Sequence, residues 1–117
     1  MASVRVAAAF GVTAIALGAF GAHGLENILA EHGRKDVWTT AAHYHLVHAV
    51  VLLVLALTDH AFPTWVWRVF LIGICIFSGS LYALALTNIG VFGAVTPIGG
   101  LALMGGWLGL VFSKIKG

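Results

Sequence analysis

The chain has 117 residues, of which 61% are hydrophobic and 9% charged, and its mean hydropathy is +1.03. A soluble domain carries about a quarter charged residues, so water is excluded as the main solvent, and so short a chain leaves no length for a separate soluble domain. The net charge of +2 comes from basic residues scattered at segment ends, which leaves no footprint for nucleic acid.

Four apolar runs follow one another, at about 4–24, 37–58, 65–87 and 91–113, each close to the ~20 residues that cross a hydrocarbon core. None contains Asp, Glu or Lys, and Arg5 and Arg68 lie within a turn of a run's end, from which they can snorkel to headgroups. The predicted fold is all-α: one domain, 1–117, forming a polytopic four-transmembrane-helix bundle. The first run imitates a secretory signal, with Arg5, an apolar stretch and small residues at Ala19 and Gly21. Its length is that of a full span, so it reads as a retained first helix.

Between the first two runs, Leu25, Ile28 and Leu29 set against Glu26 and Glu31 predict a short interfacial helix at about 25–32, stopped by Gly33. Asp36 fits the N-cap of the second span. In the second loop, Asp59 to Thr64, Pro63 halts one helix and Thr64 can cap the next. The third break, Asn88 to Thr96, is almost uncharged and rich in glycine, and it leaves two starts open for the fourth helix, near Val91 or only at Thr96-Pro97 with Thr96 as cap.

With four spans both termini share a side, which collects Arg5, Arg68, Lys114 and Lys116 against Arg34 and Lys35 opposite. This excess predicts cytoplasmic termini in a bacterial inner membrane. Trp65, Trp67 and Trp107 sit toward the terminal side and Trp38 toward the other, as interfacial belts require. Cys75 is the only cysteine, so no intramolecular disulfide forms.

Helices in lipid associate through close packing and hydrogen bonds, so small residues are the packing signal. The first span carries Ala7, Gly11, Ala14, Gly18 and Ala22 at spacings of three and four, and the fourth carries Ala102, Gly105, Gly106 and Gly109. Gly11, Gly18, Gly21, Gly79, Gly99, Gly100 and Gly106 are the predicted packing glycines, and leucine at Gly18 is expected to splay the bundle. Four helices cannot bury every face, which predicts self-association or a membrane-protein partner within the bilayer.

Polar residues concentrate in one leaflet. His48 lies about 15 Å beyond Trp38 and His45 about 10 Å, while Ser80 and Ser78 lie about 10 and 13 Å inward from Thr87, with Tyr82 shallower. His23 closes the first run and Thr96 opens the fourth on the same side. Two readings stay open: a hydrogen-bonded plug that fixes helix register, or a pocket in the non-cytoplasmic half that takes a small ligand, lipid headgroup or proton. In either, His48 is expected to be neutral, with its partners among Ser78, Ser80 and Tyr82, and Tyr44 and Thr96 next. A metal or haem site would need His23 beside His45 and His48, with no cysteine or carboxylate at that depth, so no metal and no cofactor are expected. His32 and His60 read as loop residues without a role. No nucleophile–base–orienter set is legible, so the chain does not read as an enzyme.

The blocks Gly18-Ala-Phe-Gly-Ala-His23, Tyr44 with His48, Phe77-Ser-Gly-Ser-Leu-Tyr82, Thr96-Pro-Ile-Gly-Gly100 and Gly106-Trp107 resemble, in order and spacing over nearly the whole chain, the family catalogued as domain of unknown function four hundred and twenty-three. That family holds bacterial inner-membrane proteins and mitochondrial relatives. The resemblance implies four spans and no established activity, substrate or cofactor. It ranks His23, Tyr44, His48, Ser78, Ser80, Tyr82 and Thr96 as the candidate polar pocket, and it does not call for histidine at His43 or His45. Two functions are carried forward: a binding or conducting protein built on that pocket, and an accessory or assembly subunit docking on a larger membrane complex.

Overall fold

The structure is a computed structural model that describes residues 2–58 and 61–114. Asp59 and His60 of the second loop, and the flanking Lys116, lie outside the described residues. Five helices follow in order: α1 (Ala2–Ala22), α2 (Glu26–His32), α3 (Lys35–Leu57), α4 (Thr64–Thr87) and α5 (Val91–Phe112). All but α2 are long and apolar enough to cross a membrane.

The turns follow local chemistry. Gly33 ends α2 in the left-handed region at φ 66°, and the Arg34 N–H reaches back to the Leu29 carbonyl at 2.9 Å, which closes a Schellman-type cap. Asn88 ends α4 in the same left-handed region at φ 57°, its N–H donating to the Leu84 carbonyl at 2.8 Å, a conformation that asparagine tolerates better than most side chains. Asp36 stands in the first turn of α3, where its charge suits the helix dipole.

Of the two starts that the sequence leaves open for α5, the structure takes the earlier. The helix begins at Val91, and Thr96 and Pro97 lie inside it. Pro97 has no N–H to offer Gly93, yet the helix runs through it, and beside it the Thr96 hydroxyl donates to the Phe92 carbonyl at 3.1 Å and stands 2.6 Å from the Ser80 hydroxyl of α4. Thr96 is therefore a helix-interior contact and not a cap.

Successive spans run antiparallel and sit side by side in the order α1, α3, α4, α5, with no close approach between α1 and α5. The four-helix bundle is thus an open arc, with α3 and α4 central and α1 and α5 as free edges. Its cross-section is 26 × 18 Å. The short α2 lies across one end and buries Leu29 beneath Trp38, Ala85 and Tyr82. His32, read from sequence as a loop residue without a role, ties that end together, its Nδ1–H donating to the Ala85 carbonyl at 2.9 Å.

The α4–α5 seam is a zipper of glycine against bulk, stepping by three and four residues. Gly109 faces Trp65 and Val66, Gly106 the Phe70 ring, Gly73 Leu103, and Gly99 the Phe77 backbone. Beyond them Ser80 meets Thr96. Spacing of this kind is the small-residue packing that lipid solvent demands. On the α1–α3 seam, Gly21 makes room for the Trp38 indole, whose N–H donates to the Leu17 carbonyl at 2.7 Å.

Several packing assignments change. A Cβ at Gly11 or Gly79 would meet nothing within 4 Å, so neither glycine serves a helix contact. Gly18 has only the Ala42 Cβ near it, at 4.0 Å, an ordinary contact distance, and borders an open groove, so close backbone approach there does not require a glycine. Gly100 makes ordinary contact with the Phe77 ring at 3.6 Å. The sequence reading passed over Gly73, which touches the Leu103 backbone, and took Gly109 only as part of a stripe.

Candidate functional site

The predicted pocket residues do not meet at one point. Five of them, His48, Ser78, Ser80, Tyr82 and Thr96, form separate links between helices. Ser78 donates to the Ala41 carbonyl at 2.8 Å, binding α4 to α3. The Ser80 and Thr96 hydroxyls stand 2.6 Å apart, binding α4 to α5. His23 is exposed beyond the end of α1, and its side chain forms no hydrogen bond among the described residues.

His48 is buried at 4% exposure, and its two nitrogens have partners of fixed character. Nδ1 faces the Tyr44 carbonyl at 2.8 Å, which can only accept, so this nitrogen carries the hydrogen. Nε2 faces the Trp107 indole Nε1–H at 3.1 Å, which can only donate, so this nitrogen is bare. The ring is therefore the neutral Nδ1–H tautomer. Its partners come from its own helix and from α5, and not from the serines or Tyr82. Through Trp107 it spans from α3 to α5 across α4.

His45, set aside in the sequence reading, is the centre of a second link. Tyr82 Oη lies 2.9 Å from Nδ1, and Thr13 Oγ1 lies 3.2 Å from Nε2. The Thr13 hydroxyl is already placed to donate to the Ala9 and Phe10 carbonyls, both at 3.0 Å. It therefore accepts from His45 Nε2–H, and Nδ1 accepts from the Tyr82 hydroxyl. Hydrogen bonds run in one direction from α4 through α3 to α1. Their common depth is the signal for this link: Thr13 is about 13 Å from Ala22 and His45 about 15 Å from Lys35 along antiparallel helices.

Each ring nitrogen of His45 and His48 thus has a protein partner, and a metal would have to displace them. No group of three or more His, Cys, Asp or Glu side chains with metal-binding spacing occurs among the described residues. Every buried side-chain nitrogen or oxygen among those residues has a hydrogen-bond partner.

Around His48 lies an aromatic face shared by α3, α4 and α5. Tyr44 stacks parallel to the His48 ring at 5.9 Å and leans on Phe77 at 4.8 Å. Phe70 and Trp107 meet edge to face at 5.4 Å, both against His48. Tyr44 is 42% exposed and Trp107 46%, so the face opens to the surroundings with His48 as its floor. The Tyr44 hydroxyl forms no hydrogen bond among the described residues, although Tyr44 lies about 13 Å along α3 from Lys35.

Fold and site together define a polytopic α-helical membrane protein whose polar side chains interlock its spans. The family model described as Protein of unknown function (DUF423) matches residues 17–100, and the chain belongs to that family. It is 45% identical to UPF0382 membrane protein SSP2132 of Staphylococcus saprophyticus, with 88% of each chain covered. It is 43% identical to UPF0382 membrane protein YwdK of Bacillus subtilis, over 88% of this chain and 87% of that relative. A relative from fission yeast, Schizosaccharomyces pombe, UPF0382 membrane protein C1782.12c, is 33% identical over 88% and 92%. No solved structure matches. The family description and the relatives' names state no activity.

Proposed function

We propose that the protein is a non-catalytic membrane subunit that assembles, with a second copy or with another membrane protein, through the Tyr44–Trp107 face. The observation that carries this is the Tyr44 hydroxyl, a polar group at membrane depth without a partner among the described residues. A hydroxyl in hydrocarbon costs roughly 2 kcal/mol or more unless an acceptor reaches it, and a second molecule packed on this face supplies one. The interior polar groups favour this over an internal ligand pocket, because they are spent on one another and on backbone carbonyls. They hold register, each link contributing about 0.6–2 kcal/mol.

Tyr44→Phe removes the hydroxyl and keeps the ring stacked on His48. The variant is expected to shift the protein from its assembled form toward the monomer in native mass measurements in mild detergent, with its thermal midpoint unchanged. A wild-type protein that is strictly monomeric without a co-purifying membrane protein, or a Tyr44→Phe variant that assembles as well as wild type, would refute the proposal.

We place the protein in the bacterial inner membrane with cytoplasmic termini. The support is charge: Arg5, Arg68 and Lys114 lie at the terminal end with Lys116 next in sequence, and Arg34 and Lys35 lie at the other end. Arg34 there is bonded to Asn88 Oδ1 at 3.1 Å and Lys35 to Glu26. Reporter fusions at Gly117 and within residues 31–36 are expected to read cytoplasmic and external respectively, and the opposite pattern reverses the assignment.

A further inference from the structure

We infer that the groove between α1 and α3 binds one membrane phospholipid with a zwitterionic, primary-amine headgroup, its phosphate and ammonium at Lys35 and Glu26 and an acyl chain along Gly18 and Ala42. The groove encloses about 620 Å³ and is lined at one end by Glu26, Lys35 and Thr39, and deeper by Gly18, Ala42 and Leu46.

Its length selects the occupant. Lys35 and Leu46 are eleven residues apart on α3, about 16 Å, which is one leaflet of a ~30 Å hydrocarbon core. A transmembrane helix needs a contact that continues through both leaflets, whereas a lipid chain ends at the midplane. The mouth matches in charge. Lys35 Nζ and Glu26 Oε1 are 3.4 Å apart and both side chains are half exposed, so each keeps capacity toward an outside ion of opposite sign. A headgroup with both a phosphate and an N–H-bearing ammonium satisfies the two at once.

His43 adds an independent indication. It lines the groove and is exposed, and its ring forms no hydrogen bond among the described residues. Helical Cα–Cβ bonds tilt toward the helix N-terminus, here the headgroup end, so the imidazole leans toward the level of Thr39. A lipid ester or phosphate oxygen supplies the acceptor that the chain does not.

Native mass measurements on the full-length protein in mild detergent, with phosphatidylethanolamine, phosphatidylcholine and phosphatidylglycerol added in equal amounts, test this. One phosphatidylethanolamine per protein is expected to be retained at least fivefold over either other lipid, since choline offers no N–H and phosphatidylglycerol no cation. Gly18→Leu fills the groove floor and is expected to lower that retention at least fivefold. Lys35→Gln gives up only the half-exposed ion pair with Glu26 and is expected to lower it at least threefold with the thermal midpoint little changed, so it decides the matter even where Gly18→Leu does not fold. Equal retention of the three lipids, or retention unaltered by Lys35→Gln, overturns the inference, as does a lipid-free dimer that Gly18→Leu dissociates. Tyr44→Phe is expected to leave lipid retention intact, which separates this site from the assembly face.

Discussion

Replacing Gly99 with alanine is expected to destabilise the protein by about 3 kcal/mol or more and to detach α5 from α4, a larger effect than that of any other single methyl addition to the α4–α5 seam. A Cβ at Gly99 would fall 2.6 Å from the Phe77 Cα, and backbone cannot swing aside as a ring can. Overpacking in a well-filled interior costs about 1–3 kcal/mol, and the upper end applies where the neighbour is main chain. The seam is in register along its whole length, so a shift at Gly99 also pulls Thr96 from Ser80 and Trp107 from His48. Gly106→Ala is the milder comparison, because it meets the Phe70 ring at 2.8 Å and that ring has some freedom to turn. Gly79→Ala is the control: its Cβ has open space, and exchanging glycine for alanine in a helix favours the folded form by up to about 1 kcal/mol. Thermal midpoints and yields in detergent measure the series. A Gly99→Ala protein as stable as the Gly79→Ala control would show that the two helices do not touch there.

The second large effect is expected at His48. His48→Ala removes the acceptor of the Trp107 indole N–H and leaves a cavity under Tyr44 and Phe70, at a cost of about 3 kcal/mol when unpaired polar group and void are combined. His48→Gln is expected to recover about half, because its side-chain carbonyl can reach the indole. Trp107→Phe keeps an aromatic ring and removes the donor, so in the His48→Ala background it should add little further loss. A double-mutant cycle is therefore expected to show a coupling of about 1 kcal/mol or more. Strictly additive losses would mean that the two side chains are not bonded, and the neutral tautomer assigned to His48 would lose its basis.

The protein's solvent, span number and connectivity were legible without coordinates because they depend on composition and length. Twenty-residue apolar runs have one solution in a bilayer, and Gly33 and Pro63 mark breaks by backbone properties that no tertiary context alters. Of the glycines expected to pack helices, Gly21 lies against Trp38, Gly99 against the Phe77 backbone and Gly106 against Phe70. The depth of the polar groups could be counted as well, at a fixed rise per residue.

Which groups face one another could not be counted, because depth fixes height on a helix and leaves its rotation and neighbours open. The seven candidate polar residues share a leaflet, yet Ser78 turns to α3, Ser80 to α5 and His23 outward. Thr13 and His45 form the link from α1 to α4 that no local pattern announced. Pro97 looked like a helix start because its missing N–H suits a first turn. The tertiary structure starts α5 six residues further back, with Thr96 bonded both to its own helix and to α4. Helix order in the membrane likewise belonged to the tertiary level: α1 and α5 are each apolar and rich in small residues, and only the seams already filled by α3 and α4 keep them apart and leave the arc open.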